Sequence, residues 1–296
     1  MAGIARFDTV IMVDWSARSA PSPVSRTKDA IFACMVSDGR VTTAYFRTRD
    51  AAIAALTIEL RAEVNRGHRV LTGFDFSFGY PRGFARAVTG TDDPLTLWQA
   101  LADRVADGPR NENNRFDMAG GLNGLFPQPG PFWGCPRKNE SPVMPFYKPR
   151  HTGFPFAERR LIETKLPRAK TCWQLMGAGS VGSQALLGIA RLQGLRQEFG
   201  DALSVAPFQP PTTPIVLAEI YPSLLDAEVK AQRHPHEIMD EAQVRVMAGA
   251  FAGLAPAMLD AMLREGDPQE GWITGFGHEA DLIAASRRFL QPAPTA

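Results

Sequence analysis

Val10-Ile-Met-Val-Asp14 is a run of four apolar residues, three of them β-branched, closed by a single carboxylate. A run this short and this rich in β-branched side chains reads as a buried strand rather than a helix. Val70-Leu-Thr-Gly-Phe-Asp75 and Ile215-Val-Leu-Ala-Glu219 repeat the pattern, and each again ends on an acid. Strands of this kind lie side by side and project their last side chains into one crevice at the carboxyl edge of the sheet. Acids gathered there repel one another unless a cation sits between them. Hard divalent ions such as Mg²⁺ or Mn²⁺ prefer oxygen ligands, so the three runs point to an α/β fold with a metal-assisted site.

Working outward from the first run, Ile31-Phe-Ala-Cys-Met-Val-Ser37 and Val41-Thr-Thr-Ala-Tyr-Phe-Arg47 read as two further strands joined by the turn signal Asp38-Gly39. Arg49 to Asn65 carries Ile53, Leu56, Leu60 and Val64 at the spacing of one helical face, with Gly67 placed to end the helix. The Asp75 strand follows, closed by Gly79-Tyr80-Pro81. Regular order resumes at Pro214 to Tyr221. A helix is expected near Asp240 to Arg264, then a short apolar piece at Trp272-Ile-Thr-Gly-Phe276 and a last helix near Glu279 to Leu290.

Residues 82–213 read as a large insertion within a single domain spanning 1–296. Phe126-Pro-Gln-Pro-Gly-Pro-Phe-Trp-Gly-Cys-Pro136 is too rich in proline and glycine for a helix or a central strand. Leu95 to Val105, Phe156 to Glu163 and Val181 to Phe199 are expected to be helical within it. Arg110, Arg115, Arg137, Lys138, Lys148, Arg150, Arg159, Arg160, Lys165, Arg168 and Lys170 make it locally basic. Phe132, Trp133, Phe146, Tyr147, Phe154 and Phe156 interleave with those cations. Such a mixture suits a nucleic-acid strand, with phosphates on the cations and bases on the rings. The plainer reading is a solvated face above an aromatic minicore.

Composition narrows the field. The 296 residues include 32 basic and 31 acidic side chains, a net charge of +1, so no global field draws the chain to a polyanion or a membrane. A hydrophobic content of 45% is ample for a sizeable core. Met1-Ala-Gly-Ile-Ala-Arg-Phe-Asp8 shows no basic region followed by an apolar core, and no apolar run approaches the roughly twenty residues of a membrane span. The expected location is the cytoplasm. Cys34, Cys135 and Cys172 are odd in number and far apart, which argues against a disulfide framework or a structural zinc site. His234 and His236 flank a proline in a loop-like context and read as solvated rather than metal-binding.

The order strand, strand, strand, helix, strand, helix, strand, helix is that of the ribonuclease H-like fold: a mixed five-stranded sheet flanked by helices, here with the large insertion after the fourth strand. Val13-Asp14-Trp15-Ser16, Gly73-Phe-Asp75-Phe-Ser-Phe-Gly-Tyr-Pro81 and Ala218-Glu219-Ile-Tyr-Pro222, with Glu279-Ala-Asp281-Leu-Ile-Ala-Ala285, resemble an uncharacterised family of predicted ribonuclease H-like nucleases. The resemblance covers roughly residues 8–81 and 214–290. Two departures stand out. The family's first aspartate is usually followed by small, glycine-rich residues, whereas Trp15 and Ser16 follow Asp14. Its late helix usually shows an Asp-Ala pair, whereas Asp281 is followed by leucine and preceded by Glu279, which leaves open which of the two acids completes the site.

The resemblance implies a metal-dependent phosphodiester hydrolase acting on DNA or RNA, with two ions about 3.5–4 Å apart. Asp14 would bridge the ions, Asp75 and Glu219 would flank it, and Asp281 would reach in from the last helix. Ser16 and Lys230 are candidates for contact with a substrate phosphate. Each acid alone reads more readily as a turn or helix cap. Three at the ends of adjacent strands are harder to explain that way.

Gly177-Ala-Gly179-Ser-Val-Gly182 matches the GxGxxG pattern of dinucleotide sites, although Thr171-Cys-Trp-Gln-Leu-Met176 is a weak first strand for a βαβ unit. The plain reading is a glycine-rich turn into a helix, on whose backbone N–H groups a phosphate could dock. An ATP-binding enzyme on the same fold is the alternative this turn supports. Against it, Trp15-Ser-Ala-Arg-Ser-Ala-Pro-Ser-Pro23 lacks the glycine that would let a backbone approach a phosphate after the first strand. A scaffold that keeps the fold without activity is the third reading.

Overall fold

Each residue of β1 (Thr9–Asp14) is buried, as its apolar run requires. In the computed structural model, which describes residues 6–126 and 129–290, β1 is a central strand. Residues 1–5 and Pro127-Gln128, which belong to segments discussed above, lie outside the described residues. β2 (Ile31–Ser37) pairs antiparallel with β1, and β3 (Arg40–Phe46) pairs antiparallel with β2. The turn at Asp38-Gly39 makes this possible, since both residues adopt positive φ. α1 (Arg49–Asn65) is capped by the Thr48 side chain and leads to β4 (Val70–Phe74), which lies parallel to β1.

The insertion contributes α2 (Phe84–Thr89), α3 (Pro94–Ala102), α4 (Arg115–Asn123), α5 (Leu161–Lys165), α6 (Gly182–Phe199) and a three-residue strand, β5 (Leu203–Val205). β6 (Ile215–Glu219) then enters parallel to β4. The sheet order is β3-β2-β1-β4-β6-β5. The expected five-stranded sheet thus has a sixth member, because β5 adds parallel to the outer side of β6. Three residues are too few to carry a legible strand pattern.

α7 (Asp226–Gln232), α8 (Met239–Ala252), α9 (Pro256–Arg264) and α10 (Glu279–Leu290) complete the chain. The single helix expected over 240–264 is two helices meeting at 113°. Gly253 ends the first and Pro256 opens the second, because proline is tolerated in a first turn and breaks a helix interior. The helix expected from Phe156 is confined to α5. Phe156 instead packs with Phe84, Phe126 and Trp173 at ring-centroid separations of 5.3–5.5 Å. Trp272 to Phe276 forms no strand.

Two apolar cores sandwich the sheet. One gathers Val13, Phe74 and Leu217 with α1, α3 and α6, and it extends into the aromatic cluster of Tyr80, Phe84, Phe132 and Trp173. The other gathers Met12, Ala218 and Ile220 with α8 and α10. Side chains alternate between faces along a strand, so this division fixes which face each terminal acid takes. The three cysteines are buried and unpaired. Among the described residues no single helix is long and apolar enough to cross a membrane.

Candidate functional site

The paired register settles the fate of the three strand-end acids. Val13 is opposite Phe74, and Phe74 is opposite Glu219, so these three occupy one row. Asp14 and Asp75 follow Val13 and Phe74 and therefore occupy the next row, on the opposite face. The β6 residue in that row is Ile220. Asp14 and Asp75 both line a cleft of about 500 Å³ at the carboxyl edge of the sheet, whereas Glu219 does not.

Glu219 has a different task. Its Oε1 accepts from Arg160 Nη2 at 2.7 Å, and its Oε2 accepts from Arg160 Nη1 at 2.8 Å and from the Phe78 backbone N–H at 2.9 Å. It is 3% exposed and Arg160 is 1% exposed. The expectation that Glu219 shares a cation with the other two acids is corrected by this arrangement: its charge is already neutralised on the other side of the sheet.

Asp281 also stands apart. It lies exposed in the first turn of α10, 3.9 Å from His278 Nδ1. Glu279 accepts from the Gly277 N–H, and neither acid lines the cleft. Lys230 is exposed, ion-paired with Asp226 at 3.4 Å and likewise off the cleft. Ser16, Gly177 and Gly179 do line it. The Ser16 hydroxyl is engaged, donating to the Asp29 carbonyl at 2.7 Å.

The helix acid in the cleft is Asp240, in the first turn of α8. α8 is apolar around most of its circumference, with Ala242, Val244, Val246, Met247, Ala248 and Ala250 all buried, so it packs centrally against the sheet. α10 is amphipathic and more peripheral. That contrast in burial pattern was the available signal for choosing Asp240 over Asp281. Asp240 Oδ2 accepts the Asp29 N–H at 2.8 Å.

Electrostatics follow from this crowding. Asp14 accepts no hydrogen bond from any described residue. Burial, and then the charges of Asp75, Asp240 and Asp29, hold its carboxyl well above the usual range. Burial pushes Asp75 up to about 7, against the lowering effect of the Trp15 N–H that donates to its Oδ1 at 2.7 Å. Asp240 is also raised, chiefly by burial. These are acids whose ionised form is disfavoured, the state a nearby cation relieves.

The facing wall comes from the insertion. Arg168, Lys170 and the segment Met176–Gln184 line it, and Arg18 and Arg115 add further positive charge. α6 starts here with no side-chain cap, so its first N–H groups lack a side-chain acceptor. Gly177 and Gly179 have φ of +122° and +70°, as the turn into α6 demands. Gly182 leaves no space for a side chain: an added Cβ would lie 2.4 Å from the Cys172 carbonyl oxygen. Gln184 donates to the Trp15 carbonyl at 2.5 Å and ties this wall to the end of β1.

The interleaved aromatics divide by burial. Phe132 and Phe156 belong to the minicore, while Tyr147 is 67% exposed and stacks, with Phe146, beneath the Arg137 guanidinium. Lys148 pairs with Glu158, and Arg137 with Glu140. Among the described residues, no group of three or more His, Cys, Asp or Glu is placed to hold a metal ion. Asp14 and Asp75 open on the cleft beside Asp29 and Asp240. No family model, no curated protein and no solved structure matches this chain.

Proposed function

We propose that this chain is a ribonuclease H-like, divalent-metal-dependent phosphodiester hydrolase whose site is the cleft over Asp14 and Asp75. One observation carries the reading: a buried carboxylate with no hydrogen-bond partner among the described residues, Asp14, lies beside a second whose pKa is raised to about 7. Both open on a cleft whose far wall is cationic. Mg²⁺ or Mn²⁺ bound by the two acids would neutralise phosphate charge and lower the pKa of a bound water.

The remaining groups divide the work of binding. Lys170 and Arg168 attract the phosphate from the insertion side, and beyond Gly182, whose N–H donates to the Gln174 carbonyl, the N–H groups of Ser183 and Gln184 at the start of α6 would face it. Lys170 lays its stem along the Gly179 turn, 3.7 Å from where a Cβ would sit there, so its ammonium is carried next to that helix start. The Trp15 N–H fixes one Asp75 oxygen, leaving the other for a ligand. DNA or RNA is the substrate class favoured by the cationic wall and by the exposed ring of Tyr147 beside Arg137.

The test is divalent-dependent cleavage of single-stranded DNA and RNA by the purified chain, with Asp14→Asn as the matched variant. Loss of both cleavage and Mn²⁺ binding in a folded Asp14→Asn protein is expected. Undiminished cleavage would remove Asp14 from the reaction. The nucleotide-dependent reading draws on Gly177 and Gly179 in the same cleft, and thermal stabilisation by millimolar ATP without any effect of oligonucleotides would favour it. Absence of Mn²⁺ binding would favour the scaffold reading.

A further inference from the structure

We infer that Arg115 is an oxyanion receptor in the cleft wall, gripping a phosphate group on the Nε–Nη2 edge of its guanidinium. It is a contact separate from Arg168 and Lys170, made by a residue of α4, and it requires no metal ion. That the phosphate belongs to a nucleic-acid strand rests on the hydrolase reading above; the receptor itself does not.

Arg115 is the first residue of α4 and lines the cleft. Its Nη1 donates to Ser19 Oγ at 2.8 Å and to Asn113 Oδ1 at 2.7 Å, and its guanidinium carbon lies 4.4 Å from the centre of the Phe116 ring. Those contacts fix the plane of the group and occupy one nitrogen. Nε is buried with no partner, and Nη2 donates to no described residue. A buried donor without an acceptor is costly, and a bound oxyanion removes that cost.

Elsewhere in the chain this same edge holds a carboxylate. Nε and Nη2 together donate to Asp107 from Arg49, to Glu237 from Arg245, to Asp260 from Arg264 and to Glu228 from Arg287. Among the described residues Arg115 has no acid within ion-pair reach, although Asp14, Asp29, Asp75 and Asp240 line the same cleft. Asp107, whose charge acts on it, already serves Arg49 and Arg191. Burial, and then the charge of Arg49, lower Arg115 to about 10, so an arriving anion meets a charge that no side chain neutralises. Two phosphate oxygens match the fork as two carboxylate oxygens do.

The test is a phosphorus NMR titration of the full chain with inorganic phosphate in EDTA at pH 6, below the raised pKa of Asp75, where repulsion from that acid is small. Arg115→Gln and Arg115→Lys should each weaken binding about tenfold, because lysine restores the charge without the fork. No binding by the parent, or parent-like affinity in a folded Arg115→Lys protein, would overturn the inference. If neither variant folds, crystals of the unmodified chain soaked in selenate decide. An anomalous peak within hydrogen-bond distance of Arg115 Nε and Nη2 is expected; no peak, or peaks confined to Arg168, Lys170 or the start of α6, would overturn it. Displacement of the bound phosphate by a thymidine octanucleotide identifies a strand as its source. Failure to displace it identifies free phosphate, which leaves the receptor standing and counts against the nucleic-acid reading.

Discussion

The Trp15 backbone N–H, one residue beyond Asp14, donates to Asp75 Oδ1 at 2.7 Å. The end of the first strand thus holds the acid at the end of the fourth, and the two carboxyls are kept together although they repel. This is a strained charge arrangement at the one edge of the sheet where several elements converge, and its effects are measurable.

The first is a pH dependence of opposite sign to the usual acid denaturation. Asp75 is raised from 3.8 to about 7 in the folded chain, and Asp14 is raised as well. A carboxyl whose folded pKa is raised contributes stability that is full below its unfolded pKa and is lost as pH rises through its folded pKa. Between about pH 4 and pH 7 the metal-free chain should therefore lose stability from this pair as pH rises. The two acids titrate as a coupled unit, so comparison with Asp75→Asn isolates their joint contribution. The Tm difference, variant minus parent, should grow from pH 5 to pH 8 and shrink on adding Mn²⁺. A difference independent of pH would contradict the raised pKa of this pair.

Removing Arg160 should be costly for a separate reason. Arg160→Met leaves Glu219 and Glu163 buried without their counter-charge, and breaking such a pair from one side costs about 3–5 kcal/mol. Urea unfolding of the variant measures it. A loss below about 1 kcal/mol would show that water reaches these carboxylates.

Lys170→Met and Arg168→Met should behave in the opposite way. Both side chains are exposed, so Tm should hardly move. Affinity for a short oligonucleotide in the presence of Mg²⁺ should fall about tenfold, the worth of one charge-assisted contact, and the salt dependence should weaken. Fluorescence anisotropy at two ionic strengths reads both effects. Unchanged affinity in the double variant would place the phosphate elsewhere.

Gly182→Ala should damage the turn before α6 without touching an acid. Its Cβ would meet the carbonyl oxygens of Cys172 and Gln174 at 2.4 and 2.7 Å, which are backbone atoms with little freedom to retreat. A loss of about 1–3 kcal/mol is expected, as for other overpacked sites. Gly194→Ala on the same helix meets nothing within 4 Å and serves as the control. Equal stability of the two variants would show that the turn tolerates displacement.

Much of this architecture was legible in the chain itself, for reasons that also explain what was not. Strand runs such as Val10 to Asp14 and the amphipathic spacing of α1 and α10 are local signals, and those elements fall where the spacing put them. Register is not local. Asp14, Asp75 and Glu219 each end an apolar run, yet only the pairing of Phe74 with Glu219 reveals that the third acid is one residue out of step. Asp240 was equally hidden, since first-turn acids on α8 and α10 look alike until the burial of each helix is compared. The insertion carried the least information, because its glycine and proline content marks turns without saying what they face. Arg160 appears in the sequence as one cation among many in a basic stretch.

Arg160 has one more implication, for attempts to trim the chain. It belongs to the insertion over residues 82–213, while its partners Ser77, Glu219 and Glu270 come from three regions outside that insertion. A truncated protein in which Pro81 is spliced to the last parallel strand would leave Glu219 without the guanidinium that neutralises it. The insertion and the sheet are thereby joined by a buried ion pair and a shared core, not by chain connectivity alone.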